Sequence, residues 1–286
     1  MHTNLKVELT NILGETIVRL QPIAGGDISE AYVLELQNKK VFCKLNYAQN
    51  AHHMFECEQE GLRLISDTGD IKTPELFGCA KLEKGTCLLM EFIETKSATP
   101  NDMKKLGIQL AKLHLNRSDN FGLGKDNYIG NLPQANSQYQ DWVSFYSRKR
   151  LQPQFQLALD KKLLSTLEVP ETEHIEKTVG KYCPNIKPGL LHGDLWQGNF
   201  LISSEGNPYL IDPAVYYGHH EVDIAMSRLF GGFGNLFYEA YEDVIPRSEG
   251  FAQRQELYQL YYLLVHLNLF GRSYYPAVVG IIRKYF

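Results

Sequence analysis

The sequence predicts an α+β fold of two unequal lobes, a small antiparallel sheet followed by a larger and mostly helical part. Two contrasts along the chain carry this reading. Over roughly the first ninety residues, short β-prone runs alternate with glycine-containing and polar turns, with one helix among them. Beyond residue 98, apolar residues recur at helical spacing nearly to the C-terminus, interrupted by one short hairpin. The change of character near residues 94–98 divides the chain into 1–94 and 95–286, and the cleft between two such lobes is the expected ligand site.

In the first part, runs at 18–22 and 31–36 flank Ala24-Gly25-Gly26-Asp27-Ile28-Ser29-Glu30, whose glycines suit a tight connection, and a third run covers 41–45. A helix is expected over about 50–68, closed by Gly69 as the residue past its C-cap. Its apolar stripe is Ala51, Phe55, Leu62 and Ile65, and Glu58 fills the gap where an apolar residue belongs. Runs at 74–81 and 86–93 complete the sheet. The second part opens with Thr99 as N-cap, Pro100 at the first helical position and Asp102 at the third, followed by Met103, Leu106, Leu110 and Leu113. A hairpin is expected from 199–203 through a Ser-Glu-Gly-Asn-Pro turn to 209–212, and a long apolar-patterned stretch covers 253–270.

The bulk composition narrows the function classes. Hydrophobic residues at 44% and charged residues at 22% suit a globular domain able to bury a sizeable core. A formal charge of -4 argues against a nucleic-acid surface, which needs a basic face. No apolar run approaches the ~18 residues of a membrane span, and the N-terminus lacks the apolar core of a secretory signal. Cysteines 43, 57, 79, 87 and 183 are scattered and form no Cys-x-x-Cys pair, so a reducing cytoplasm is the expected location.

The chemistry concentrates at Leu191-His192-Gly193-Asp194-Leu195-Trp196-Gln197-Gly198-Asn199, with Ile211-Asp212-Pro213 after the hairpin. Asp194 and Asn199 are spaced as the base and metal-binding amide of a kinase catalytic loop, and Asp212 stands where a kinase keeps its second metal ligand. Phosphoryl transfer needs a carboxylate for the attacking hydroxyl and hard oxygen donors for Mg²⁺ beside ATP. Asp194 is the candidate base, and Asn199 and Asp212 are the candidate metal ligands. Lys44, on the third strand, is the candidate phosphate lysine, and Glu58 is its expected partner, because a charge on a buried stripe must be paired. Gly25 and Gly26 are candidates to cradle phosphates through their N–H groups. The strand end Met90-Glu91-Phe92-Ile93 is the candidate adenine edge, with backbone contacts from Glu91 and Ile93. Trp196 offers either a platform for a sugar face or plain packing. Asp223 reads as a brace for the catalytic loop, His219 and His220 as satisfied loop histidines, and residues 148–150 as a solvated helix end.

These motifs, with Asp212-Pro213-Ala214, Tyr216-Tyr217-Gly218-His219, Glu221-Val222-Asp223-Ile224-Ala225-Met226 and Leu267-Asn268-Leu269-Phe270-Gly271, resemble the fructosamine (ketosamine) kinase family over essentially the whole chain. The His-Gly-Asp core is shared with aminoglycoside and choline kinases, and Trp196 and the Tyr-Tyr-Gly-His run narrow it. The resemblance implies a bilobal protein-kinase-like fold and MgATP-dependent phosphorylation of the sugar 3-hydroxyl of free or protein-bound ketosamines. The 3-phosphate formed is unstable and releases the amine. Two departures stand out: Asp27 replaces a cysteine of some relatives, and His220 stands where relatives often carry Arg. Other readings remain: a kinase of the same fold acting on an aminoglycoside, choline or another alcohol, an inactive nucleotide-binding module, or a metallophosphoesterase. The last lacks its Asp-x-His motif.

Overall fold

The computed structural model describes residues 2–23 and 29–286, so the Gly25-Gly26-Asp27 connection lies outside the described residues. The first lobe runs α1 (His2–Leu13), β1 (Arg19–Ile23), β2 (Glu30–Glu35), β3 (Lys40–Asn46), α2 (Ala51–Asp67), β4 (Leu76–Lys81) and β5 (Thr86–Glu91). The five strands form one antiparallel sheet in the order β1-β2-β3-β5-β4. Helix α1 departs from the expectation of a single helix in this part. Leu5, Leu9 and Leu13, four residues apart on one helical face, pack into the sheet core, with Leu9 wholly buried.

The period of two in a strand decides what each sheet face carries. Cys87 and Leu89 of β5 join Cys43 and Leu45 in the cluster that includes Leu9, whereas Leu88 and Met90 meet Phe55 of α2. Lys44 pairs in register with Leu88, so its side chain issues on the α2 face. Helix α2 ends as expected, with Gly69 in the left-handed region just past the C-cap Thr68.

The second lobe contains α3 (Pro100–His114), the hairpin β6 (Asn127–Ile129) and β7 (Leu132–Gln134), and α4 (Trp142–Tyr146). A π-turn over Ser147–Leu151 leads to α5 (Gln152–Asp160), then α6 (Thr172–Tyr182), β8 (Gly189–Leu191), β9 (Phe200–Ile202), β10 (Pro208–Leu210) and β11 (Tyr216–Gly218). Helices α7 (Glu221–Leu229), α8 (Asn235–Glu242), α9 (Phe251–Phe270) and α10 (Tyr275–Tyr285) complete it. Thr99 and Asp102 form the reciprocal capping box that starts α3. Gly107 lets α3 approach α8 closely; a Cβ there would stand 2.3 Å from the Phe237 carbonyl oxygen. Helix α9 is buried almost all round, as an apolar helix at a lobe centre must be.

Arg150 corrects the expectation of a solvated helix end. Its guanidinium stacks 3.9 Å from the Tyr216 ring centre and 4.7 Å from that of Phe145, and it donates to Ala135 O and Asn136 Oδ1. The π-turn adds a residue to the helical repeat, which rotates this side chain inward while Arg148 stays outside and pairs with Glu176. Among the described residues, no helix is long and apolar enough to cross a membrane.

Candidate active site

The site forms where the α2 face of the sheet meets the two loops carried by β8–β11 and β9–β10. Lys44 Nζ lies 2.7 Å from Glu58 Oε1 and also bonds Asp212 Oδ1. One ammonium therefore joins strand β3, helix α2 and the loop after β10. Burial disfavours the ammonium, but the two carboxylates outweigh it and raise the Lys44 pKa above its ordinary value. Asp212 is likewise held below the usual carboxylate range, Lys44 overcoming the opposing effect of burial. Burial dominates at Glu58 and pushes it up to about 7, because Lys44 is shared and the Asp212 charge adds repulsion. Gly61 brings α2 this close: a Cβ there would lie 3.0 Å from Pro213, the residue after Asp212. Asp212 has φ of 55°, an uncommon region for a residue with a Cβ and one that collects at functional turns.

The loop after β8 is held from three sides. Asp223 of α7 accepts the His192 and Gly193 N–H groups at 2.7 and 2.9 Å, and His114 Nε2 lies 3.0 Å from the same carboxylate. His192 donates through Nε2 to Ile211 O at 2.8 Å and accepts the Asp194 N–H at Nδ1, which fixes its tautomer and ties the loop to the Asp212 segment. The Tyr262 hydroxyl donates to Gly193 O at 2.8 Å. Gly193 has φ of 84°, and a Cβ on it would stand 2.1 Å from Ala214 O, so only glycine fits. Asp194 then faces the cleft with its carboxyl raised to about 7, by burial first and by the Asp212 and Asp223 charges next. Asn199 donates from Nδ2 to Asp194 O at 2.8 Å and to Asp194 Oδ2 at 3.3 Å, and its Oδ1 has no hydrogen-bond partner among the described residues.

A cleft of about 1050 Å³ brings these groups together with Met90, Glu91, Phe92 and Ile93. Glu91 donates its N–H to Glu75 O at 2.8 Å. The N–H of Ile93 has no hydrogen-bond partner among the described residues. Trp196 is exposed, with its ring over Gly198, where a Cβ would lie 2.4 Å from the indole. Ten of the twelve candidate residues lie in the described structure and line or adjoin this cleft; Gly25 and Gly26 are outside the described residues. The sequence reading gives no site role to Asn127, Tyr128, Phe230, His266, Phe270 and Tyr274, which also line it. They come from separate segments whose local patterns read as ordinary core or loop, and only the spacing Tyr262-His266-Phe270 hinted at one shared helical face.

Asn199 and Asp212 offer one amide and one carboxylate oxygen, a donor set that suits a hard cation such as Mg²⁺. A second cluster, His219, His220 and Glu221, has ligand-type atoms within 4.8 Å of one another. Arg254 already takes both Glu221 oxygens at 2.7 Å, and Tyr258 and Tyr241 hold the two histidines at Nδ1, so the carboxylate and one nitrogen of each ring are already engaged.

The fructosamine kinase family model matches residues 1–286. The chain belongs to the fructosamine kinase family. A protein-ribulosamine 3-kinase of Arabidopsis thaliana chloroplasts is 36% identical over 282 residues, covering 97% of this chain and 85% of the relative. A protein assigned as a ketoamine kinase in Enterococcus faecium is 37% identical over 266 residues, covering 92% and 94%. A crystal structure assigned as a fructosamine-3-kinase from Haemophilus somnus 129PT superposes with a TM-score of 0.89 at 27% identity, covering 100% of this chain and 98% of that one. Spectinomycin phosphotransferase, in complex with ADP and spectinomycin, shares the fold at a TM-score of 0.62 and 18% identity, covering 99% and 94%. The bilobal kinase-like fold class expected from the sequence is therefore the one observed.

Proposed function

We propose that the chain is an ATP-dependent ketosamine 3-kinase whose transfer site is the Lys44–Glu58–Asp212 ion cluster facing Asp194. The cluster is the observation that carries the reading, because it gathers three charged residues from both lobes into one cleft with a buried, basic carboxylate. Such a cluster is expensive unless a polyanion and its cation use it. Membership of a family whose curated relatives include ribulosamine 3-kinases supplies the acceptor class.

In this reading, residues 1–94 bind ATP and residues 95–286 carry the catalytic loop and the acceptor. Lys44, oriented by Glu58, meets the α- and β-phosphates. Gly25 and Gly26 cover the phosphates, and the Glu91 carbonyl and Ile93 N–H take the adenine edge, flanked by Met90 and Phe92. Asn199 Oδ1 and Asp212 would hold Mg²⁺, which when bound would neutralise phosphate charge. Asp194 orients the sugar 3-hydroxyl and takes its proton as the oxygen bonds to the γ-phosphorus and the bond from that phosphorus to the departing ADP oxygen breaks. Trp196 gives the sugar's C–H face an apolar wall. The five cysteines are free thiols, which supports a cytoplasmic enzyme. ATP consumption across fructosamine, ribulosamine, aminoglycoside and choline panels tests the reading. Turnover with ketosamines is expected; turnover with choline or an aminoglycoside alone would move the chain to another acceptor class within the same fold.

A further inference from the structure

On the second-lobe side of the cleft, three aromatic rings close around one histidine. The His266 ring centre lies 4.8 Å from Phe230, 5.5 Å from Phe270 and 5.1 Å from Tyr274, and Phe270 and Tyr274 are 6.3 Å apart. All four residues line the same cleft as Asp194 and Trp196. Phe270 is 47% exposed although it is a large apolar residue, at the end of a helix whose middle turns are buried. The rings are therefore not packed to saturation against one another; they offer open faces to the cleft.

The protonation geometry of His266 is fixed. Its Nδ1 lies 2.8 Å from the backbone carbonyl oxygen of Tyr262 one turn earlier. A carbonyl only accepts, so Nδ1 carries the hydrogen and Nε2 is a bare lone pair. Nε2 makes no hydrogen bond among the described residues. Burial lowers the His266 pKa, which keeps the ring neutral and the lone pair open. The carboxylates that line the cleft are Glu58, Glu91, Asp194 and Asp212; the first, second and fourth belong to the nucleotide side and Asp194 to the transfer point. A cation at the aromatic end would meet ring faces and one neutral acceptor.

We propose that Phe230, His266, Phe270 and Tyr274 form the subsite for the protonated amine of the acceptor, with the rings taking the charge and His266 Nε2 accepting an ammonium N–H. The proposal rests on the reading of the chain as a ketosamine kinase and names what sets its acceptor apart from a plain ketose. A ketosamine carries a secondary amine that is cationic at neutral pH and bears an alkyl arm. Ring faces attract such a cation through their quadrupoles and cover the arm's methylenes, as aromatic cages do for alkylammonium groups. A neutral sugar of the same shape gains the packing and not the charge. The rim position of Phe270 leaves the arm a way out of the cleft, so a lysine side chain of a protein suits the same subsite.

The test compares two acceptors that differ in one atom group, an N-alkyl ketosamine and the same ketose with an ether oxygen in place of the amine. The full chain and the variants Phe270→Leu, Tyr274→Leu and His266→Phe are assayed with both, with the KM for ATP and the melting temperature as controls. The wild-type chain is expected to prefer the amine by ~10-fold or more in kcat/KM. Phe270→Leu and Tyr274→Leu should shrink that preference at least threefold. His266→Phe, which keeps a ring and loses the acceptor, should shrink it less. The KM for ATP should stay within twofold throughout. Equal use of amine and ether by the wild-type chain would overturn the ammonium subsite and leave the kinase standing. A preference unchanged in all three variants would place amine recognition elsewhere. Turnover with neither acceptor would bring down the ketosamine reading and this proposal with it.

Discussion

Asp223 and Gly193 meet at 2.9 Å, carboxylate oxygen to backbone N–H, with the Asp223 side chain wholly buried. The same carboxylate takes the His192 N–H, so one side chain satisfies two consecutive amides of a loop that has no ladder to hold it. Burial opposes its charge, yet His114 and these amides outweigh burial and keep its pKa below the ordinary value. Asp223→Ala would strand both amides and leave His114 without its acceptor. Each stranded buried group costs roughly 1–3 kcal/mol. A loss of about 3 kcal/mol in urea unfolding is expected, together with a fall in kcat. A variant as stable and active as the wild type would mean that the loop is held by Tyr262 and Ala214 alone.

Lys44 and Glu58 should behave as one unit in ATP use. Removing either leaves the other partly uncompensated in a buried setting, so each single alanine variant does most of the damage. The double variant should then lose little more kcat/KM for ATP than the worse single variant. Losses that multiply independently would show that Glu58 acts through some other contact.

The pH profile follows from Asp194. Its carboxyl is raised to about 7, chiefly by burial, so the protonated form prevails below that pH and cannot accept the acceptor's proton. The acid limb of kcat/KM should bend near pH 7 and fall with unit slope below it. Asp194→Asn should lower kcat ~100-fold or more, with MgATP binding retained in calorimetry. The stability sign is the reverse of the activity sign. A raised carboxyl binds an extra proton in the folded state, so its favourable contribution is present at low pH and lost as pH rises through about 7. Asp194→Asn should therefore gain more in melting temperature over the wild type at pH 8 than at pH 5.

Arg150 should matter for stability and not for nucleotide affinity. Its guanidinium stacks on Tyr216, two residues past the Ala214 carbonyl that packs against Gly193, and it donates to the strand-end residues Ala135 and Asn136. Arg150→Met keeps much of the apolar stem and removes these bonds and a third to Lys149 O, for an expected loss of on the order of 2 kcal/mol. Thermal unfolding and the KM for ATP, measured side by side, should separate; a large rise in that KM at unchanged stability would contradict a purely structural part.

The elements that the sequence made legible share one property: each was announced by a local pattern. Thr99, Pro100 and Asp102 announce the start of α3, Gly69 the end of α2, and Glu58 on an apolar stripe announces a buried partner. Helix α1 is not announced in this way: Leu5, Leu9 and Leu13 hold the right spacing, but only their packing against the sheet makes the stripe a buried face. Arg150 turns inward, against the expectation of a solvated helix end, because the π-turn at 147–151 breaks the count of 3.6 residues per turn.

By itself the sequence determined the fold class, the loop from His192 to Asn199, Asp212, and the pairing of Lys44 with Glu58, since motif spacing and strand or helix period are properties of neighbours along the chain. Tertiary structure alone decided which distant groups share a space. It set one ammonium between Glu58 and Asp212, joined His114 to Asp223, and closed Phe230 and Tyr274 around His266. The longest of those contacts span more than a hundred residues, and their energies depend on burial, which no local pattern encodes.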